Sequence, residues 1–251
     1  MHSLGKTRMA TLFLYSLFLI FSTASSVKYC GRCVFQSKAA YFPKTADIPF
    51  KHGDCGYGPM ALGFYSGHIA AASPSLFKDG VGCGGCLQVK CKDPVACGKG
   101  VEVVLTGLQN KTNTDLVLSS RAFRAMAKKG MDKNLLKRGT VDVEYKRIPC
   151  VYKHHNVSLR VEESSSQPNR LAIKDGHPSW VSFERKYGAV WETSDAPAGV
   201  PIGLRFFVIQ FASRRFYHAE NVIPANWKVG NIYDTGFQID DIMYDQCFPC
   251  S

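Results

Sequence analysis

Asp115 is the one acid in Thr112-Asn-Thr-Asp-Leu-Val-Leu-Ser-Ser120, where a polar loop gives way to apolar residues. A carboxylate at the mouth of a buried strand stands where a general acid or base would stand, so it is the first candidate for chemistry. Asp54, Asp79 and Glu102 are further acids in the same half of the chain. Other catalytic patterns are missing. There is no Gly-x-Ser-x-Gly, and His52, His68, His154, His155, His177 and His218 are scattered without His-Glu-x-x-His spacing. Gly56, Gly58, Gly82, Gly84 and Gly85 cluster, but no Gly-Lys-Ser/Thr follows them, so they read as tight-turn architecture and not as a phosphate cradle.

Cys30-Gly-Arg-Cys33 and Cys247-Phe-Pro-Cys250 have the spacing of zinc ligands in a cytosolic chain. The leader reverses that reading. Lys6 and Arg8 precede an apolar run from Met9 to Phe21, and small residues follow to Ser26, which together make a secretory signal peptide over residues 1–26. The run is too short to span a bilayer, so the expectation is an exported chain with no membrane anchor, no metal and no other cofactor. All ten cysteines lie beyond the leader, and an even number in an exported chain implies disulfides rather than Cys–His catalysis. Export also makes Asn110-Lys-Thr112 and Asn156-Val-Ser158 glycan acceptors, hence surface positions.

The formal net charge is +11, of which the leader supplies only Lys6 and Arg8. A basic exported protein is drawn to polyanions such as acidic polysaccharide, and no nucleic-acid partner is expected outside the cell. Much of the charge sits in Arg121–Arg138. Phe123, Met126, Ala127, Leu135 and Leu136 recur there at helical spacing behind Ser119 and Ser120, which could cap a helix. The block reads as a solvated helix face.

The elements that must carry these residues differ between the two halves. The first half is rich in Gly and Cys, with short apolar strands at Cys86–Lys90 and Val101–Leu105 and clean alternation over Val141–Tyr145. The second begins after residue 152, with His154-His155 as a solvated linker. Val157, Leu159 and Val161 alternate with polar residues, and later apolar stretches at Leu204–Phe211 and Phe237–Met243 are separated by turn residues. Short strands without a helix suggest a β-sandwich.

Four motifs then stand in order: His52-Gly-Asp-Cys-Gly-Tyr-Gly58, Gly82-Cys-Gly-Gly-Cys86, Ser119-Ser-Arg-Ala-Phe123 and Val143-Glu-Tyr-Lys-Arg-Ile-Pro-Cys150. Together they resemble plant expansins, and the CxxC pair at each end with Lys38-Ala-Ala-Tyr-Phe42 is similar to the expansin-like A branch. Glu162-Glu-Ser164, Leu171-Ala-Ile-Lys174, Gly188-Ala-Val-Trp-Glu-Thr193 and Ile232-Tyr-Asp-Thr-Gly236 extend the match into the second half.

The resemblance implies a mainly β chain. A six-stranded double-psi β-barrel with a helix, like that of family-45 hydrolases, would span 27–152. An immunoglobulin-like cellulose-binding β-sandwich would span 153–251. That sandwich looks truncated, because only Asp175–Ser179 stand where the family has a longer stretch before Trp180. The family pairing implies Cys55–Cys83, Cys86–Cys150 and Cys91–Cys97. Cys30, Cys33, Cys247 and Cys250 can pair within each end or across ends.

The same resemblance bears on catalysis. Aligned on Leu118-Ser119, Asp115 takes the family His position and Val117 takes the key Asp. Gly107 takes a second acid and Ala40 a third polar position. Glycoside hydrolysis normally needs two carboxyl groups flanking the bond, so the expectation is a protein that is not an enzyme. Trp180, Tyr187 and Trp191 are the candidates for an aromatic polysaccharide platform, with Tyr57 and Asp115 as groove candidates. The implied protein is a secreted, monomeric cell-wall protein binding cellulose, xyloglucan or acidic pectin and loosening non-covalent wall contacts. A residual glucan hydrolase and a passive wall lectin are the rivals.

Overall fold

The computed structural model describes residues 33–42, 53–152, 156–166, 181–209 and 214–239. Six strands close a barrel: β1 (Phe35–Phe42), β2 (Ile69–Ala72), β3 (Cys86–Cys91), β4 (Val101–Leu108), β5 (Leu116–Ser119) and β6 (Thr140–Ile148). Their spatial order is β1-β5-β2-β4-β3-β6. The pairs β1–β5 and β2–β4 run parallel and the other four antiparallel. The alternation expected over Val141–Tyr145 is present, with Val141, Val143 and Tyr145 buried and Asp142 exposed. Period-two burial of this kind turns one face of each strand inward. The core it makes includes Leu87, Leu105, Leu116, Leu118 and Phe123.

Ser119 caps the first of two short helices that close this core. Its Oγ accepts from Ala122 N at 3.2 Å, starting α2 (Ser120–Ala125), and donates to the Gly67 carbonyl at 2.7 Å. A one-turn α1 (Pro74–Phe77) follows β2, and α3 (Asp132–Arg138) precedes β6. The helical spacing through Arg121–Arg138 is therefore split in two. Gly98 N bonds the Met126 carbonyl at 2.7 Å and Lys128 N bonds the Ala96 carbonyl at 2.8 Å, so the backbone between the helices pairs with the Cys91–Cys97 loop instead of extending a helix. Much of the basic charge is held locally. Arg124 bonds Asp132 at 2.6 Å, Arg138 bonds Asp93, and Arg121 and Lys128 donate to the Ser66 and Pro94 carbonyls.

Disulfides Cys55–Cys83, Cys86–Cys150 and Cys91–Cys97 staple the barrel, closing separations of 28, 64 and 6 residues. In the chain-entropy account such bridges contribute roughly 2–4 kcal/mol each, more for the longer loops. Cys33 is also disulfide-bonded, while Cys30, Cys247 and Cys250 lie outside the described residues.

Beyond β6 the strands are β7 (Ser158–Arg160), β8 (Glu184–Tyr187), β9 (Val190–Glu192), β10 (Ile202–Ile209), β11 (Arg214–Ile223) and β12 (Ile232–Asp234). They pair as β7–β12, β8–β9 and β10–β11. A second core of Val161, Ile202, Leu204, Val222, Ile223 and Trp227 lies among them. Among the described residues these are three two-stranded ribbons around an apolar cluster. The stretch expected to be shortened, Asp175–Ser179, and the His154-His155 linker lie outside the described residues. Described barrel and ribbon residues belong to one unit, Arg32–Asp245. No described helix is long and apolar enough to cross a membrane.

Candidate functional site

Strand register assembles the first part of the site. Ala40 of β1 is opposite Val117 of β5, Val117 is opposite Ala71 of β2, and Ala71 is opposite Gly107 of β4. Positions 40, 117 and 107 are three that the resemblance to expansins aligns with polar or acidic positions of that family. Folding sets all three in one row across four neighbouring strands, and none carries an acid. Val117 is fully buried and Ala40 and Ala71 nearly so.

A cleft of about 10 Å³, room for about one water, opens between Phe42, Tyr57, Ala61, Ala71, Thr106 and Gly107. Thr106 Oγ1 turns back to the Ala70 carbonyl at 3.5 Å. Asp54 stands next to Gly53 of the lining, and its Oδ2 is occupied by the Leu108 amide at 2.8 Å. Among the described lining residues Tyr57 has the one titratable side chain. Burial pushes its phenol up to about 12, offset in part by the positive Arg185 nearby. The phenol is a neutral hydrogen-bond donor at ordinary pH, and the described lining residues supply no general acid or base.

Aromatic rings continue from Tyr57. Phe64 meets it edge-on at 5.1 Å, Tyr152 lies 6.2 Å from Phe64, and Tyr65 packs against Tyr152 at 5.2 Å. Tyr65 OH accepts the Val151 amide at 2.7 Å, tying the barrel to the start of the inter-strand connection. Burial raises the Tyr65 and Tyr152 phenols as well, so this cluster is uncharged.

The hairpin of β8 and β9 brings the second-half aromatics to the barrel. Its turn residue Gly188 sits against Cys55 and Gly80, and Ala189 N donates to the Cys55 carbonyl at 3.0 Å. Val190 and Tyr187 lie over Gly56, where a Cβ would stand 2.4 Å from Val190 Cγ2. Tyr187 and Trp191 are 40% and 41% exposed, so both rings face solvent and neither is core. Arg185 is opposite Trp191 in the hairpin, with its guanidinium 4.5 Å over the indole. A guanidinium in that position braces the ring and attracts it electrostatically.

Of the aromatic candidates, Tyr57 lines the cleft, and Tyr187 and Trp191 are exposed on the docked hairpin. Trp180 lies outside the described residues. Asp115 is elsewhere. It precedes β5, its Oδ1 accepts from Ser73 Oγ at 3.2 Å, its Oδ2 accepts from Tyr145 OH at 3.5 Å, and it lines a second, wider cleft. Asn110 is exposed, and Asn156 is half-buried with Ser158 exposed. Among the described residues no group of three His, Cys, Asp or Glu gathers as metal ligands. The sequence offers no role for Arg185, and names Gly188 only as the first residue of a motif shared with expansins. Nothing local to either residue says that it meets Tyr57 or Cys55, more than a hundred positions away.

Residues 69–145 match a double-psi-barrel family model described as "Lytic transglycolase". Over 95% of this chain the sequence is 46% identical to Expansin-like A1 and 47% identical to Expansin-like A3, both from Arabidopsis thaliana, and it covers 97% of each. Expansin-like A3 of Oryza sativa subsp. japonica is 38% identical over 88% of both chains. Crystal structures of Clavibacter michiganensis expansin share the fold. A point mutant of it in complex with cellohexaose is 16% identical and the apo form 17%, each with a TM-score of 0.62 over 84% of this chain and all of theirs. With near-full-length identity on this scale and a closed barrel that matches, the chain belongs to the expansin family, in its expansin-like A branch.

Proposed function

We propose that this protein is an exported, non-catalytic plant cell-wall protein that holds cellulose or a matrix glycan without cutting it. The barrel domain would span 27–152 and the binding module 153–251. The glycan would run from the cleft beside Tyr57 onto the rings of Tyr187 and Trp191. The observation that carries this reading is the Ala40–Val117–Ala71–Gly107 row, which has no carboxyl group where a hydrolase of this shape needs a pair. General acid–base assistance is worth roughly 10²–10⁴ in rate, so its loss removes hydrolysis while leaving a binding surface intact. Sugar rings present flat C–H faces, and exposed aromatic rings stack on them without needing charge. Cellohexaose bound to the bacterial expansin supports a glucan as ligand here.

Creep of isolated walls, measured with reducing-end release in the same sample, tests the reading. Retention on cellulose with creep and without new reducing ends is the expected result. New reducing ends above a heat-killed blank would make the protein a residual hydrolase, and retention without creep would make it a passive lectin.

A further inference from the structure

The second cleft has a chemistry the first lacks. It is open, holds about 680 Å³, and falls within the roughly 300–1,000 Å³ typical of ligand sites. Lys38, Lys92 and Lys111 converge on it, each exposed and, among the described residues, none of them in an ion pair. Among the described residues no aromatic side chain lines it.

The backbone places each lysine. Lys38 is opposite Asp142 across β1 and β6, and Lys92 N donates to the Asp142 carbonyl at 3.0 Å. Asp115 N donates to the Lys38 carbonyl at 3.3 Å. Lys111 sits on a loop braced by buried Gln109, whose Nε2 donates to the Thr114 carbonyl while its Oε1 accepts Lys111 N at 2.6 Å. The lysines have flexible stems on fixed roots.

Between them stand Asp115 and Asp142 with the side chains of Ser37, Ser73, Asn113 and Thr114. Asp115 already accepts hydroxyl hydrogen bonds from Ser73 and Tyr145, and among the described residues it is in no ion pair with the lysines. The ammonium groups thus remain available to something else. The cleft wants a ligand with negative charges for the lysines and hydroxyl donors for the carboxylates. A neutral glucan offers no charge and would meet no ring to stack on among the described lining residues. A phosphodiester backbone offers charge but few donors, and would set its anionic oxygens against Asp115 and Asp142. A uronic-acid chain carries one carboxylate per ring with hydroxyls beside it.

We propose that the Lys38–Lys92–Lys111 cleft is a second glycan site, one that binds a uronate-bearing oligosaccharide. It is separate from the Tyr57–Trp191 surface and does not depend on the role given to that surface.

Titration calorimetry on the full exported chain, disulfides intact and at low salt, tests this with three probes. They are an oligogalacturonate, a neutral oligo-glucan of equal length, and a single-stranded oligonucleotide of equal charge. Lys38→Gln/Lys92→Gln/Lys111→Gln is compared with Lys129→Gln/Lys133→Gln/Lys137→Gln, which removes the same charge from exposed positions around α3. The uronate should bind the parent protein and weaken as salt rises. It should bind about tenfold more weakly to the first variant, a few-fold per lysine as expected of exposed charge contacts, and unchanged to the second. Glucan binding should be the same in all three proteins. Equal losses in both variants would reduce the effect to net charge and overturn the proposal. So would the absence of uronate binding, or oligonucleotide binding as tight as uronate binding and as sensitive to the first variant.

Discussion

Gly188→Ala should undock the β8–β9 hairpin, because the turn has no room for a Cβ. Gly188 has φ +50°, and a Cβ there would stand 2.3 Å from the Asp54 carbonyl oxygen and 2.5 Å from Cys55 Cα. Both are backbone atoms, and Cys55 is tied to Cys83, so the neighbour cannot yield by turning a side chain. The left-handed conformation alone costs an alanine about 1–2 kcal/mol. Moving the turn away also breaks the Ala189–Cys55 hydrogen bond, worth about 0.5–1.5 kcal/mol net, and loosens Val190 from Gly56. The sum is about 2–3 kcal/mol, a fall in Tm of roughly 5–10 °C for a chain of this size. Gly199→Ala is the control, because Gly199 has φ +72° with nothing within 4 Å of its Cβ. It carries the conformational cost of about 1–2 kcal/mol without the clash, and its Tm should fall by less, roughly 3–6 °C. Calorimetry and cellulose retention are measured on both. Retention should fall for Gly188→Ala, since Tyr187 and Trp191 would no longer be held beside Tyr57, and should stay unchanged for Gly199→Ala. If Gly188→Ala is no worse than Gly199→Ala in either measurement, the docked hairpin is not what aligns the surface.

Three further outcomes are expected. Trp191→Ala removes a 41% exposed ring, so Tm should hardly change while affinity for cellulose falls about 5- to 30-fold, or about 1–2 kcal/mol; unchanged retention in a pull-down would count against the platform. Ser119→Ala removes the cap on α2 and the bond to Gly67, and should destabilise by about 1 kcal/mol with cellulose retention unaffected at a temperature where both proteins are folded. Asp93 accepts from the Val95 and Ala96 amides and from Arg138, and these hold its carboxyl below the usual range, the Ala96 bond contributing most. A depressed folded pKa stabilises above the unfolded value near 3.9 and loses that contribution as pH falls through the folded value. Unfolding scans from pH 6 to pH 2 should therefore show an acid loss that is smaller in Asp93→Asn; superimposable profiles would dismiss the effect.

Several features were legible before folding because their causes are local. The alternation of Val141, Asp142, Val143, Glu144 and Tyr145 marks a strand whichever partner it finds, and β6 is there. Ser119 caps α2 through a bond that spans only three residues. The helical period from Arg121 overstates the helix, because the backbone between α2 and α3 pairs with the Cys91–Cys97 loop, and a helical period cannot report a distant partner. Asp115 shows the same limit at the site. Its strand mouth was recognisable, but its partners Ser73 and Tyr145 arrive from elsewhere in the barrel, and they put it in the lysine cleft and not in the row with Val117.

The sequence alone determined the strand period of β6, the cap at Ser119 and the apolar character of Ala40, Val117 and Gly107, since each follows from residue type and near neighbours. Only the tertiary structure decided that Ala40, Val117, Ala71 and Gly107 share one row, that Trp191 faces solvent under Arg185, and that three lysines meet around Asp142. Those facts depend on strand register and on a hairpin turn seated against Cys55. Both are set by contacts between residues far apart in the chain, whose energies no local window contains.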